Sequence, residues 1–268
     1  MGELWTDHVS FSQLTSVETC PYQWFLLKVA SVEPVDNCFS QAGTLAHQIL
    51  ADWAQGKITK GEMCLQWIKR FPVEVTAEFP RYLAAKGYGS KLFDSVLRYF
   101  EGFDGFPDYE IVGVEQEFTS MLAGERFVGV IDLILRDKAT GGLMIVDHKS
   151  ASLSTFRKSK DKMYRQLLLY SKYVADNYGA FPEKLAFNLF KEGVMDVRPF
   201  TSEDYMAARL WAEKLIIEMK EKELTDWFET KPEFFNCTNL CSCRHECIFG
   251  KEESHRKKEK KNGLTTAA

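Results

Sequence analysis

No apolar run in the 268 residues approaches the ~20 needed to span a bilayer. The opening MGELWTDHVSFSQL has no basic stretch followed by an apolar one, so nothing points to secretion. These two absences lead to the expectation of a cytoplasmic protein with no membrane partner. An excess of positive charge is also missing. Thirty-four Lys and Arg stand against 38 Asp and Glu, a net charge of −4, so bulk electrostatics does not mark the chain as a nucleic-acid binder. The charge is uneven, however. Lys251 to Lys261 holds six basic residues and three glutamates (+3), which leaves −4 − 3 = −7 on the remainder. The chain also lacks the even, spread cysteine set of a secreted disulfide framework. Its seven cysteines include four, Cys237, Cys241, Cys243 and Cys247, within eleven residues, a density that in a cytosolic chain fits metal binding better than disulfides.

What is present is an ordinary globular composition, 45% apolar and 27% charged. Its length fits one large domain or one domain with an insertion. The chain is organised around residues 128–149. Phe127 to Leu135 and Leu143 to Lys149 read as two strands rich in aliphatic and β-branched residues, joined by a turn over Asp137 to Gly142. Each carries an acid inside an apolar run, Asp132 in the first and Asp147 in the second. Alternation puts Asp147 and Lys149 on one face with Ile145. Two carboxylates on adjacent strands beside a lysine make a candidate site for a hard divalent cation.

The remaining elements follow from periodicity. Ser10 or Ser12 caps a first short helix, and Pro21 suits the first turn of a second. Residues 41–54 form a helix with a stripe of Leu45, Ala46, Ile49, Leu50 and Trp53, and His47 on or beside it. Residues 55–107 are mainly helical, broken at Gly87 to Ser90. Residues 110–120 alternate as a strand with Glu115 and Glu117 on one face. After a polar stretch from Ser150 to Ser159, a helix from about Asp161 to Tyr178 places Gln166 and Tyr170 one turn apart on one face. Residues 184–200 hold two further strands, and 202–228 a long helix. The tail 251–268 is low in apolar residues and expected to be disordered.

Gly129 and Asp132, followed by Asp147 and Lys149, resemble the G-x-x-D and D-x-K core of the PD-(D/E)XK nuclease superfamily. Other matches follow in order: Ser10, Ser12, Leu14, Cys20-Pro21 and Trp24, then Gly43 and His47, then Glu115, then Gln166 and Tyr170, then the cysteine cluster. In this order they are most similar to RecB-type exonucleases and the related CRISPR-associated nuclease. The resemblance implies a restriction-endonuclease-like α/β core, a central mixed sheet flanked by helices, spanning 1–250 as one domain. It implies a variable helical insertion over about 55–107, and magnesium or manganese held by His47, Asp132, Asp147 and the His148 carbonyl. Lys149 would stabilise the transition state, Glu115 would assist from outside the metal's shell, and Gln166 and Tyr170 would face the DNA backbone or the active site. Asp147→Ala is then expected to remove cleavage and keep the fold.

The resemblance also implies that Cys20, Cys237, Cys241 and Cys247 hold a four-iron, four-sulfur (4Fe-4S) cluster. The family spacing is C-x2-C-x5-C, whereas the chain reads C-x3-C-x5-C with Cys243 extra, so Cys241, Cys243 and Cys247 are the other set. Zinc held by the C-terminal cysteines with His245 is the alternative. Cys38 and Cys64 read as small buried residues. The function expected is a metal-dependent DNA exonuclease in repair, recombination or phage- or CRISPR-related processing, acting on single strands or free ends with a possible helicase or recombination partner. The rival is a non-catalytic DNA-binding or assembly protein of the same fold. Polarity and oligomeric state are not legible.

Overall fold

Ser10 ends a two-residue strand, β1 (Val9–Ser10), and begins α1 (Phe11–Thr19) by accepting the Gln13 amide at 3.3 Å. Cys20 is extended and stops that helix; Pro21, at the first position, starts α2 (Pro21–Lys28). The computed structural model describes residues 6–250, so the tail from Lys251 onward lies outside the described residues. These residues divide into two compact units, one built from the segments before Cys38 and after Glu213, the other from Cys38–Glu213.

The second unit begins with α3 (Cys38–Ala54), α4 (Lys60–Glu74), α5 (Arg81–Ala84) and α6 (Tyr88–Gly102). Thr59 and Glu62 form a reciprocal cap on α4. The apolar stripes of α3, α4 and α6 meet in one core that includes Leu45, Ile49, Trp67, Val96 and Phe100. The predicted break at Gly87 to Ser90 shrinks to Gly87, whose φ of +65° suits glycine; Gly89 and Ser90 are already helical.

The sheet follows: β2 (Tyr109–Leu122), β3 (Glu125–Asp137) and β4 (Leu143–His148) pair antiparallel in sequence. Next, α7 (Leu153–Tyr178) crosses over to β5 (Lys184–Leu189), which pairs parallel with β4, and β6 (Val194–Pro199) closes the edge antiparallel to β5. Every residue of β4 is buried, as an interior strand with a parallel neighbour requires. This mixed sheet flanked by helices is the expected α/β class. Helix α7 starts about two turns earlier than its apolar periodicity suggests. Ser152 caps it by accepting the Thr155 amide at 3.2 Å, and Phe156 anchors the polar first turns in the core.

Helix α8 (Ser202–Glu221) is shorter than the 202–228 pattern predicts. Glu223 and Asp226 stop it and cap a separate 3-10 turn, Leu224–Phe228. In the first unit, the Trp227 ring of that turn stacks on Trp24 at 4.3 Å, and Trp24 Nε1 donates to Gln13 Oε1 at 3.4 Å. No helix among the described residues is long and apolar enough to cross a membrane.

Candidate active site

Antiparallel pairing of Leu133 with Val146 and Ile134 with Ile145 brings Asp132 and Asp147 to the same end of the β3–β4 pair. Asp132 Oδ2 accepts the His148 backbone N–H at 2.8 Å and faces His47 Nδ1 at 3.3 Å. Asp147 is 4% exposed. Its Oδ1 accepts Gln166 Nε2 at 2.9 Å, and its Oδ2 lies 2.7 Å from Lys149 Nζ. Lys149 Nζ also donates to Gln166 Oε1 at 3.2 Å, so Gln166 bridges the acid and the base. Gln166 Nε2 and the Tyr170 hydroxyl are 3.4 Å apart. Thus α3, β3, β4 and α7 each supply part of one cluster, and His47, Asp132, Asp147, Lys149, Gln166 and Tyr170 come together.

Burial raises the Asp147 carboxyl, while the Lys149 ammonium lowers it and the Asp132 charge raises it. The Tyr170 phenol is raised by burial. His148 is buried, and burial with the His47 charge lowers it to about 3. The Asn188 amide nitrogen, a donor only, stands 2.8 Å from His148 Nδ1, so Nδ1 accepts and the ring proton resides on Nε2. The same nitrogen lies 2.6 Å from the Tyr99 hydroxyl. Asn188 is therefore a site residue that the sequence reading passed over. The signal was there, an amide inside the apolar run KLAFNLF; nothing in the pattern marks Tyr99.

Glu115 lies on β2 between Val114 and Gln116, which pair with Leu133 and Ile131 on either side of Asp132. Its φ is +46°, left-handed for a side chain that disfavours it, and the strand register shifts between Ile111 and Gly113. Regular alternation therefore does not describe this strand, although Glu115 and Glu117 are both exposed. Desolvation, then the charges of Asp132 and Asp147, push the Glu115 carboxyl up to about 7. A carboxyl whose folded pKa lies above its ordinary 4.5 favours the folded state most below 4.5, and that contribution is lost as pH rises towards 7. In metal-free protein, Glu115→Gln is expected to flatten the fall in melting temperature between those pH values. The variant should melt higher than wild type above pH 7, read by thermal melts in chelator; parallel wild-type and variant profiles contradict the assignment.

Gly129 is fixed by space. A Cβ there meets the Phe118 ring at 2.7 Å and Tyr170 Cε1 at 2.9 Å. Gly129→Ala is expected to cost about 1–3 kcal/mol through overpacking and to displace Tyr170. The check is a lower denaturation midpoint at unchanged m-value.

In the first unit, Cys20, Cys237, Cys241, Cys243 and Cys247 all line one pocket with Gln23, Lys231 and Asn236. The expected ligand set and the alternate thus share one place. Cys241 and Cys243 Sγ are 3.4 Å apart. This contact lowers the Cys241 thiol to about 7 against the effect of burial, and raises Cys243. Burial, then the charges of Cys241, Cys247 and Cys20, raise Cys237. Arg244 ties the loop down through the Val35, Asp36 and Cys241 carbonyls. Of the other cysteines, Cys38 is buried and Cys64 partly so. Among the described residues, no three His, Cys, Asp or Glu side chains stand close enough as they are to enclose a metal ion.

The mixed sheet thus presents two acids and a lysine at one strand end, with a glutamine from the crossover helix joined to them. The family model of the PD-(D/E)XK nuclease superfamily matches residues 8–248, and the chain belongs to that superfamily. Among solved structures the chain is similar to a Eubacterium rectale protein named provisionally as an exonuclease. The two are 15% identical over 90% of this chain and 89% of that one, at a TM-score of 0.45. No curated protein matches the sequence.

Proposed function

We propose that the chain is a divalent-metal-dependent deoxyribonuclease that removes nucleotides from DNA ends, with a role in DNA repair or recombination. One observation carries the reading: Lys149 Nζ and Gln166 are locked onto a buried Asp147 while Asp132 stands at the same strand end. We further propose that His47, Asp132, Asp147 and the His148 carbonyl hold magnesium or manganese. The donor chemistry fits, being mainly carboxylate and carbonyl oxygen, and the buried Asp147 Oδ2 is met by Lys149 Nζ. As the side chains stand, Asp132 faces His47 and Asp147 faces Lys149, so a cation has to displace these contacts. When bound, the metal neutralises charge on the phosphate and makes water a stronger acid.

The chain's own residues do the rest. Lys149, a compact charge oriented by Gln166, stabilises negative charge growing on the phosphate. Glu115, whose β2 neighbours pair on either side of Asp132, orients water from outside the metal's shell. Asn188 holds His148 neutral, which keeps a second positive charge from the metal side of Asp132. Residues 1–250 are read as one nuclease domain, since a single family match runs through both units.

For the five thiols we propose a 4Fe-4S cluster on Cys20, Cys237, Cys241 and Cys247, with Cys243 as the alternate; their shared pocket supports it. The nuclease reading is tested by oxygen-free purification and incubation with end-labelled linear DNA and manganese, beside an Asp147 variant. A product ladder from the wild type alone is expected, and its direction gives the polarity. Silence from both, with DNA retained in a gel shift, replaces the enzyme with a DNA-binding protein of the same fold.

A further inference from the structure

Asn188 is buried on β5, a strand that is otherwise apolar after Lys184. A buried amide has to be paired, and its nitrogen carries two protons to place. One points at His148 Nδ1 on β4, at 2.8 Å, and the other at the Tyr99 hydroxyl on α6, at 2.6 Å. The Asn188 backbone carbonyl accepts the Lys149 N–H at 2.9 Å. Asn188 therefore grips two consecutive site residues, one through its side chain and one through its backbone. Tyr99 fixes that fork from the helical insertion.

The His148 ring held in this way meets the His47 ring at 5.8 Å and 85°. Phe190 meets the same histidine at 5.9 Å and 82°. His47 is thus bracketed by two rings that both lean on Tyr99, one through Asn188 and the other directly, at 6.2 Å. The bracket has a consequence for the site. The torsion that turns an imidazole is broad and roughly two-fold, so a partly exposed ring needs neighbours to choose which nitrogen it presents. Here that nitrogen is Nδ1, 3.3 Å from Asp132 Oδ2. Core filling alone asks only for a ring at position 99, and phenylalanine packs equally well against Phe100 and Phe103. The hydroxyl is the part that reaches the site.

We propose that Tyr99 is a positioning residue for the metal site: through Asn188 and His148 it sets the orientation of His47, so that the helical insertion takes part in holding the cation. The inference rests on the metal reading above. Groups that orient a ligand from behind act on affinity for the metal, because the ligand no longer has to be ordered when the metal arrives.

The test counts manganese bound by the full chain without DNA, from the loss of the free ion's electron paramagnetic resonance signal. The ion that Asp147→Asn no longer binds defines the site. Tyr99→Phe is expected to weaken its binding about tenfold, the lower end for losing an outer partner of a metal ligand. Asn188→Ala should weaken it at least as much. Adding Tyr99→Phe to Asn188→Ala should then change nothing further, because the hydroxyl acts through the amide. Tyr109→Phe is the control and should bind as wild type does; it removes a hydroxyl held by Lys184 at the opposite end of β3 from Asp132. In cleavage, Tyr99→Phe should need about tenfold more manganese for half its rate and keep its saturated rate within about twofold of wild type. Tyr99→Phe that binds manganese as wild type does, or that loses further in the Asn188→Ala background, overturns this inference alone. Should Asn188→Ala not fold, the comparison of Tyr99→Phe with Tyr109→Phe decides. Wild type that binds manganese and cleaves nothing overturns the nuclease reading, and the binding series still decides this inference. Wild type that binds no manganese overturns the metal site, and this inference with it.

Discussion

Asp147→Asn is expected to reduce DNA cleavage by at least about 10³-fold while leaving the melting temperature close to that of wild type. The asymmetry follows from where Asp147 sits. It is 4% exposed, and desolvation already raises its carboxyl, so the folded state gains little from its charge. Asparagine matches its shape and keeps an oxygen for Gln166 Nε2, now 2.9 Å from Asp147 Oδ1. What asparagine cannot supply is a negative charge opposite Lys149 Nζ at 2.7 Å, or a second anionic oxygen for a divalent cation. Asp147→Ala loses the same chemistry but also strands Gln166 and opens a void, so some instability accompanies its loss of activity. The Asn variant is therefore the cleaner measurement. Initial rates on end-labelled DNA, beside thermal melts in chelator, separate the two effects. Retention of more than a tenth of wild-type activity removes Asp147 from the site.

The two acids were legible in the sequence because each interrupts a run that otherwise reads as buried strand. An acid there has to be compensated, and compensation in a buried strand end is a site. The turn over Asp137 to Gly142 was legible for a local reason as well: Asp137 Oδ1 accepts the Ala139 and Thr140 amides, a bond that short polar side chains make within their own turn. Features made by residues far apart in the chain were less accessible. Asn188 with His148 and Tyr99, and the Glu115 backbone beside Asp132, arise only when β2, β5 and α6 close on the β3–β4 pair. Periodicity describes an element against water, not one element against another. The early start of α7 shows the same limit. Ser152 to Lys162 looks polar because most of it faces solvent, and only the buried Phe156 and the Ser152 cap identify it as helix. Gln166 and Tyr170 were assigned through resemblance, and their contacts with Asp147, Lys149 and Phe118 give that assignment a physical basis.

Cys20→Ser is expected to lower the melting temperature of oxygen-free protein by on the order of 10 °C and to abolish visible absorbance. The reasoning begins with chain connectivity. Cys20 comes from the N-terminal segment of its unit, and Cys237, Cys241, Cys243 and Cys247 from the C-terminal one, yet all five line the same pocket. A cluster bridging them closes a loop of 237 − 20 = 217 residues. On the chain-entropy estimate for a crosslink, a loop of that size is worth about 5 kcal/mol, and a domain of this length moves about 2–4 °C per kcal/mol. Ligand binding then contributes directly to folding. Four thiols side by side also oppose one another when ionised, an effect that adds to burial in raising the Cys237 thiol, so the pocket gains from a cation that neutralises them. Cys64→Ser, in the other unit and outside the pocket, is the control and should change neither reading. Elemental analysis distinguishes the metals. Iron with sulfide and a brown colour supports the cluster. Equimolar zinc with the same fall in melting temperature replaces it with a thiolate zinc site. Wild type carrying neither, and melting no higher than Cys20→Ser, shows that the five thiols pack together without a metal.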